Sequence, residues 1–265
     1  MSVQTLYHRS SRFGNNLFQY VVARLFAKRH GLRMMTPFTP ANGKDIVRVI
    51  PSDEGKVVRS PTIRVTDDPR FPAQRPKQPY HLIGPDHDPF SDDWPLARYI
   101  FEGWFEHPRW YHDRRADIEG FVRPDPIKRI NTRDIVLNLR VDTDFMNMKW
   151  TIHPRWYLDI LSRETFDRVH IVCDRVNEEY LAHFAAYSPV VVCSGAKGDW
   201  EYLRSFDRIV CSNSSFCWWA CFFSKASRVY TFKRWHGYRI GNLSRFPNSI
   251  AIDGPFLHEG TRRGR

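Results

Sequence analysis

The sequence predicts an α/β protein whose second half is a doubly wound parallel sheet, and three observations carry that prediction. From residue 134 onward, short β-branched runs alternate with segments of helical spacing. The runs are apolar throughout rather than at every second residue, as strands covered on both faces require. The segments between them carry helix signals. Pro154 suits a first helical turn, and Tyr180, Leu181, Phe184 and Tyr187 recur at three- and four-residue spacing.

The first half is less regular. Leu17, Phe18, Val21, Val22, Leu25 and Phe26 form one apolar stripe, and Lys28-Arg29-His30 before Gly31 supplies a C-terminal stop, so a helix is expected there. Strands are expected at 46–50 and 62–65. Residues 69–95 carry seven prolines and read as a long irregular excursion, and residues 100–111 are dense in aromatics. In the second half the expected strands are Ile135–Leu139, Val169–Cys173, 190–193, Arg208–Cys211 and, last, 229–232. Helices are expected from Pro154, over 177–187, over 199–206 and after residue 215. Ligands of such sheets sit beyond the carboxyl ends of the strands.

A chain of 265 residues is long enough for one large or two small domains, and 42% hydrophobic residues describe a globular protein. The excess of 40 Lys and Arg over 29 acidic residues, a formal charge of +11, favours anionic partners. No basic block is long enough to serve as a nucleic-acid arm, so no nucleic-acid partner is expected. No apolar run reaches the roughly eighteen residues that span a bilayer, and no signal peptide is recognisable. These features lead us to expect a cytoplasmic protein, with peripheral association at an anionic inner membrane face allowed by the charge. All five cysteines (Cys173, Cys193, Cys211, Cys217 and Cys221) lie in the second half, without paired spacing. Neither a disulfide framework nor a metal site is expected from that spacing, and the cysteines read as buried small hydrophobes.

Four places carry chemistry. The stretch from Cys211 to Phe223 is the most informative: a strand empties into Ser212, Asn213, Ser214 and Ser215, then a bulky apolar helix begins at Phe216. The first N–H groups of a helix have no internal partner, and the dipole favours an anion there, so the geometry suits a phosphate. It equally suits an N-cap on a buried helix. Gly14, Asn15 and Asn16 stand just before the first long helix, as ligand-facing groups or as a turn and cap. Asn138 and Arg140 end the first strand of the second half among Asp142 and Asp144. Arg140 there binds a diphosphate through its fork or forms ion pairs. Asp174 ends the next strand, placed to contact a ribose or base or to serve a turn.

Together these residues resemble the α-1,2-fucosyltransferases of glycosyltransferase family eleven. Gly14-Asn15-Asn16-Leu17-Phe18-Gln19-Tyr20 is similar to the family's opening motif, and Phe101-Glu102-Gly103-Trp104-Phe105 to its Gly-aromatic-Phe segment. Asn138-Leu139-Arg140, with Asp144-Phe145, partly matches its His-x-Arg-Arg-Gly-Asp-Tyr strand end. Ser212-Asn213-Ser214-Ser215-Phe216-Cys217-Trp218-Trp219-Ala220 is close to its Ser-Asn-Ser-Ser/Thr-Phe-Ser-Trp-Trp-Ala element. Asp199, Tyr202 and Leu203, and later Phe232-Lys233-Arg234-Trp235, fall where the family has equivalents. The resemblance spans about residues 12 to 235, in order.

The resemblance implies a GT-B fold: two Rossmann-like lobes with a cleft between them, the C-terminal lobe a doubly wound parallel sheet. Its boundaries are expected at 1–130 for an acceptor-side lobe, 131–257 for a GDP-sugar-binding lobe and 258–265 for a flexible basic tail. It implies inverting, metal-independent transfer of L-fucose from GDP-fucose to O-2 of a galactose-like residue on a glycan acceptor, with no cofactor. Arg140 would pair with the donor diphosphate, and Ser214, Ser215 and their backbone would hold phosphate oxygens. Ser212, Asn213, Phe216, Asn138, Gly14, Asn15 and Asn16 would line the donor site, and Asp174 would meet the guanine or ribose.

The chain departs from the family where Asn138 replaces His, Val141 the second Arg, and Asn16 a Gln. Adjacent strand residues point to opposite faces, so only one of two arginines at 140 and 141 would face the cleft, and Arg140 is expected there. His153, Asp142, Asp144 and Glu102 are the candidate general bases, with Asp144 and His153 carried forward as catalytic. A transferase with another GDP-sugar, or a weakened nucleotide- or glycan-binding relative, are the alternatives.

Overall fold

The apolar stripe near the start folds as the helix Phe13–Arg29, but burial extends well beyond one face. Asn16, Gln19 and Ala23 are buried along with the predicted stripe. His30 caps the end, and Gly31 adopts φ +62°, the left-handed conformation a C-terminal stop uses. The computed structural model describes residues 2–7, 12–51, 55–57, 61–70, 80–84, 87–90, 94–95, 97–234 and 248–260. Much of the proline-rich excursion, Trp235 and residues 261–265 lie outside the described residues. The chain divides into two units, Met1–Pro124 and Asp125–Arg265, against the expected division at 130.

In the first unit the strands are β1 (Ser2–Thr5), β2 (Arg33–Met34), β3 (Val47–Val49), β4 (Thr62–Thr66), β5 (Tyr80–Leu82), β6 (Arg98–Phe101) and β7 (Val122–Pro124). Five of them form a parallel sheet in the order β2-β1-β6-β4-β5, while β3 and β7 pair antiparallel. Short helices Pro108–His112 and Arg115–Phe121 occupy the aromatic region and its sequel. The expected strands at 46–50 and 62–65 are present as β3 and β4. The remaining strands of this unit are not apparent in the sequence.

The second unit holds β8 (Ile135–Leu139), β9 (Val169–Cys173), β10 (Val190–Val192), β11 (Arg208–Cys211), β12 (Arg228–Phe232) and β13 (Ser249–Ile252). Every pairing is parallel, in the order β10-β9-β8-β11-β12-β13. Counted within the sheet this is 3-2-1-4-5-6, the order of dinucleotide-binding sheets. The order reverses between β8 and β11, and a crevice opens outside the carboxyl ends of strands at such a point. Helices Thr143–Asn147, Pro154–Leu161, Glu178–Leu181, Ala196–Arg204 and Ser215–Phe222 lie between the strands, and Leu257–Gly260 follows β13.

All residues of β8 and β9 are buried, as continuous apolar runs demand. Ile135, Leu137, Leu139, Val169 and Ile171 pack with Trp156, Tyr157, Ile160 and Leu161 of the Pro154–Leu161 helix. Three expectations need correction here. Strand 229–232 is not the last, because β13 comes after it. The segment 177–187 is a short α-helix that continues as a 3-10 helix, Ala182–Tyr187. His258 to Gly260, expected in a flexible tail, end a helix in which Glu259 pairs with Arg234 through both carboxylate oxygens at 2.7 and 2.8 Å. No helix among the described residues is long and apolar enough to cross a membrane.

Candidate functional site at the switch point of the second sheet

β8 delivers Arg140 and β11 delivers residues 212–214 to the same edge, on either side of the point where strand order reverses. Arg140 Nη1 donates to Ser214 Oγ at 3.1 Å and Nη2 to Asp142 Oδ2 at 2.9 Å. Its Nε lies 2.6 Å from Asp174 Oδ2, off the direction of the N–H bond, so this is a contact of charges rather than a directed hydrogen bond. The guanidinium carbon stacks 4.0 Å over the Phe145 ring. The plane of the fork is thereby set, and its side chain is only 12% exposed.

Ser214 is the N-cap residue of the Ser215–Phe222 helix, yet its side chain makes no cap bond. The hydroxyl that ordinary capping would turn toward the helix accepts from Arg140 instead. Ser212 behaves differently: its hydroxyl donates to Asn138 Oδ1 at 2.5 Å, and both residues are buried. The Asn138 amide also donates to the Val172 carbonyl at 3.4 Å, so it ties β8 to β9 as well as to β11. Asn213 is buried and donates to the Trp150 carbonyl at 2.9 Å. Ser212, Asn213 and Asn138 thus brace the floor of the switch point through bonds to one another's strands and to the Trp150 carbonyl. Ser215 and Phe216 are half-buried at the helix start, and Trp218 and Trp219 are fully buried, as expected of packing residues.

Two carboxylates share one guanidinium here. Burial raises the Asp174 pKa above the ordinary carboxylate value; the Arg140 charge pulls it down, the neighbouring Asp142 pushes it up, and the net shift is upward. Asp142 is fixed independently, because its Oδ1 accepts from Phe145 N at 2.8 Å as the N-cap of the Thr143–Asn147 helix. Arg175 donates to Thr143 at 3.2 Å, and the loops after β8 and β9 leave a hollow of about 300 Å³ lined by Val141, Thr143, Met146, Arg175, Val176 and Asn177.

The candidate bases separate. Asp144 is exposed on the first turn of the Thr143–Asn147 helix. His153 is the N-cap of the Pro154–Leu161 helix, with Nδ1 accepting from Arg155 N at 3.1 Å. Burial and then the neighbouring charges of His183 and Arg155 lower its pKa. It borders a larger groove of about 610 Å³, with Arg155, Asp159, Arg163 and Asp253, that contains none of the Arg140 group. Convergent buried polar groups identify a site better than volume does, so we place the site at the switch point.

The first unit has its own constellation at the carboxyl ends of β4 and β6. Asp67 accepts from Trp104 N at 2.8 Å and Phe105 N at 2.6 Å, with His107 Nε2 at 3.4 Å. Glu102 pairs with Arg64 at 2.9 Å and accepts from Tyr80 at 3.1 Å. Gln19 donates to the Gly103 carbonyl at 2.5 Å. Gly14, Asn15 and Asn16 are not a turn before the helix, because Phe13–Arg29 already includes them; Asn16 is buried and Asn15 half-buried. The helix has won over the expected cap, and its N-cap, Arg12, makes no side-chain cap bond.

Several contributors escape a linear reading. Phe145, Trp150 and Tyr157 (which donates to the Asn138 carbonyl at 3.1 Å) support the floor, and Asp67 organises the first-unit loop. An acidic pair directly after a β-run was the available signal for Asp67. Asp199 turns out to accept from Ser194 N and Oγ at 2.7 and 2.8 Å. Of the cysteines expected as buried small hydrophobes, Cys173, Cys211, Cys217 and Cys221 are buried, whereas Cys193 is exposed beyond β10. Cys211, at the end of β11, joins Cys217 and Cys221, and the three sulfurs lie within 4.8 Å of one another. Burial drives the Cys211 thiol up and also opposes ionisation of Cys217. Hydrogen bonds from the Cys211 and Cys221 thiols and the Ser212 N–H, with the charge of Arg140, bring Cys217 down.

No protein-family model matches the sequence, and no curated protein matches it either.

Proposed function

We propose that this chain is a glycosyltransferase that moves a sugar from a GDP-sugar to a glycan hydroxyl with inversion. L-Fucose is the sugar and O-2 of a galactose-like residue the acceptor position that the family-eleven resemblance implies. One observation carries the proposal: Arg140 and the Ser214 hydroxyl meet 3.1 Å apart at the switch point, beside the start of the Ser215–Phe222 helix. Breaking a sugar–phosphate bond leaves charge on the departing diphosphate, and fixed cations and helix N-termini aimed at that charge stabilise the transition state.

In this reading the donor diphosphate exchanges for Asp174 on Arg140, while Asp142 keeps the other side of the fork. Asp174 is suited to that exchange, since its raised pKa marks an ionised form the site already disfavours. Once displaced, its carboxyl group can take a ribose or base hydrogen bond at the neighbouring hollow. Phe145 holds the guanidinium plane throughout. Asp144, exposed on the turn next to the Arg140 group, is the better candidate base than His153, which caps a helix away from that group. The reading makes the fold GT-B and assigns the acceptor side to the first unit. It assigns the chemistry to fixed charge and needs no metal or cofactor.

The departures from the family do not remove this machinery. Val141 is 2% exposed within the apolar cluster, so the position of the family's second arginine points into the core here. Asn138 is likewise buried and bonded to neighbouring strands. The test is GDP release from GDP-fucose and, separately, GDP-mannose, for wild type and Arg140→Ala. Release from GDP-fucose that collapses in the variant supports the proposal. Release from GDP-mannose alone replaces the sugar, and no release from either sinks the enzyme reading.

A further inference from the structure

The geometry points to a binding site for a soft, three-coordinate metal ion, Cu(I), formed by Cys211, Cys217 and Cys221. Cys211 comes from the end of β11, and Cys217 and Cys221 lie one turn apart on the same side of the Ser215–Phe222 helix. The sulfurs lie within 4.8 Å of one another, and the three residues are only 1%, 0% and 4% exposed. With a metal–thiolate bond of about 2.3 Å, a trigonal ion would hold its sulfurs about 4.0 Å apart. The thiols need to draw in only slightly to reach that spacing.

The donor set selects the ion. No His, Asp or Glu joins the three thiols among the described residues. Structural zinc wants four protein ligands, and a three-ligand zinc site keeps an open position for water. Here the fully buried Trp218, Trp219 and Phe222 share the helix, so the setting is dry. Soft thiolates in a site without a fourth ligand favour Cu(I). Binding replaces three S–H bonds by three copper–sulfur bonds, the three protons leave to solvent, and copper remains Cu(I), so no electron is transferred. The ion is structural: it joins the end of β11 to the helix across residues 212–216, the turn that presents Ser214. It takes no part in sugar transfer, and the site stands whether or not the proposed activity does.

The test titrates the reduced full-length chain anaerobically with Cu(I) in competition with bicinchoninate. A second sample is produced in copper-supplemented medium, so that entry during folding is also covered. The expected result is one copper per chain, with X-ray absorption showing three sulfurs at about 2.3 Å. Cys217→Ser and Cys211→Ser, each checked for native circular dichroism, should weaken binding by at least about a hundredfold. Cys173→Ser/Cys193→Ser should bind as wild type. The inference fails if neither sample holds copper against the chelator, or if both serine variants bind as tightly as wild type. A strong preference for Zn(II) with a fourth ligand would overturn the choice of ion.

Discussion

The two larger sheets are both parallel, but the charge clusters at their carboxyl edges are centred differently. At the edge of the second sheet one cation, Arg140, holds Asp142 and Asp174 and meets a hydroxyl and a helix start. At the edge of the first, carboxylates gather: Asp67 and Glu102 are buried, and their partners are Trp104 N, Phe105 N, Arg64 and Tyr80. In the proposed reading an edge of the first kind receives an anion. An edge of the second kind consumes its own charge in holding loops together. Similar architecture thus carries a cluster centred on a cation in one unit and one centred on carboxylates in the other, because the residues that leave the strand ends differ. Mutations on the two edges should therefore fail in different assays.

The largest effect should come from Arg140→Ala. Removing a donor aimed at developing charge costs about 10²–10³ in turnover, so GDP release should fall by that factor under conditions where the variant remains folded, although losing the cation beside Asp142 and Asp174 should also lower the unfolding midpoint. A variant that unfolds in parallel with its loss of release would make Arg140 structural, like its counterparts in the first unit. Asp67→Ala should show the reverse. It strands two backbone donors inside the protein, and losing hydrogen bonds to a buried charge costs about 1.5–3 kcal/mol each at most. Urea unfolding should register a loss of roughly 3 kcal/mol. Unchanged stability would mean the Asp67 contacts are dispensable and the first edge is available for a ligand.

Gly103→Ala sharpens the same contrast at a single atom. A methyl group at Gly103 would overlap Asp67 Oδ1, and the loop would have to shift to admit it. Overpacking of this kind costs about 1–3 kcal/mol, measurable as a lower urea midpoint. In an Asp67→Ala background the penalty should shrink without vanishing, since the nearest obstructing oxygen is gone while two Phe105 ring carbons still lie 3.0 and 3.1 Å from the added methyl. Additivity of the two changes would show that Gly103 is needed for some other reason.

The same contrast explains what could be read from the sequence. The strands of the second unit announce themselves because β8 and β9 are buried on both faces, leaving continuous apolar runs. Strand β13 escapes because its pattern is half exposed, and β2 has only two residues. Residues 212–215 were legible as a strand-to-helix turn, but their division of labour was not. Ser212 and Asn213 turn inward because Asn138 and the Trp150 carbonyl lie across the sheet, partners far away in the chain. Gly103 and Asp67, and Cys211 with Cys217 and Cys221, have the same character: each depends on what the fold brings close. Local spacing reports on helices and strands, whereas a site made of side chains from several strand ends is visible only once strand order is known.

The smallest expected effect belongs to Asp174→Asn, and it tests whether Asp174 is a poised ligand group or a settled ion-pair partner. Its folded-state pKa is raised, chiefly by burial. Near pH 4 the unfolded chain releases this proton, because an unperturbed Asp titrates at about 3.9. The folded chain keeps it to higher pH. The folded state therefore binds more protons in that window, and stability falls as pH rises through it. The asparagine variant lacks this loss, so its unfolding temperature relative to wild type should climb between about pH 4 and neutrality. A settled ion pair predicts the opposite: a depressed pKa, with the variant less stable at neutral pH and drawing level in acid. Thermal unfolding of both proteins at matched pH values distinguishes the two signs. A climbing difference would leave Arg140 with a carboxylate it gains little by keeping, which is the condition for an incoming diphosphate to take its place.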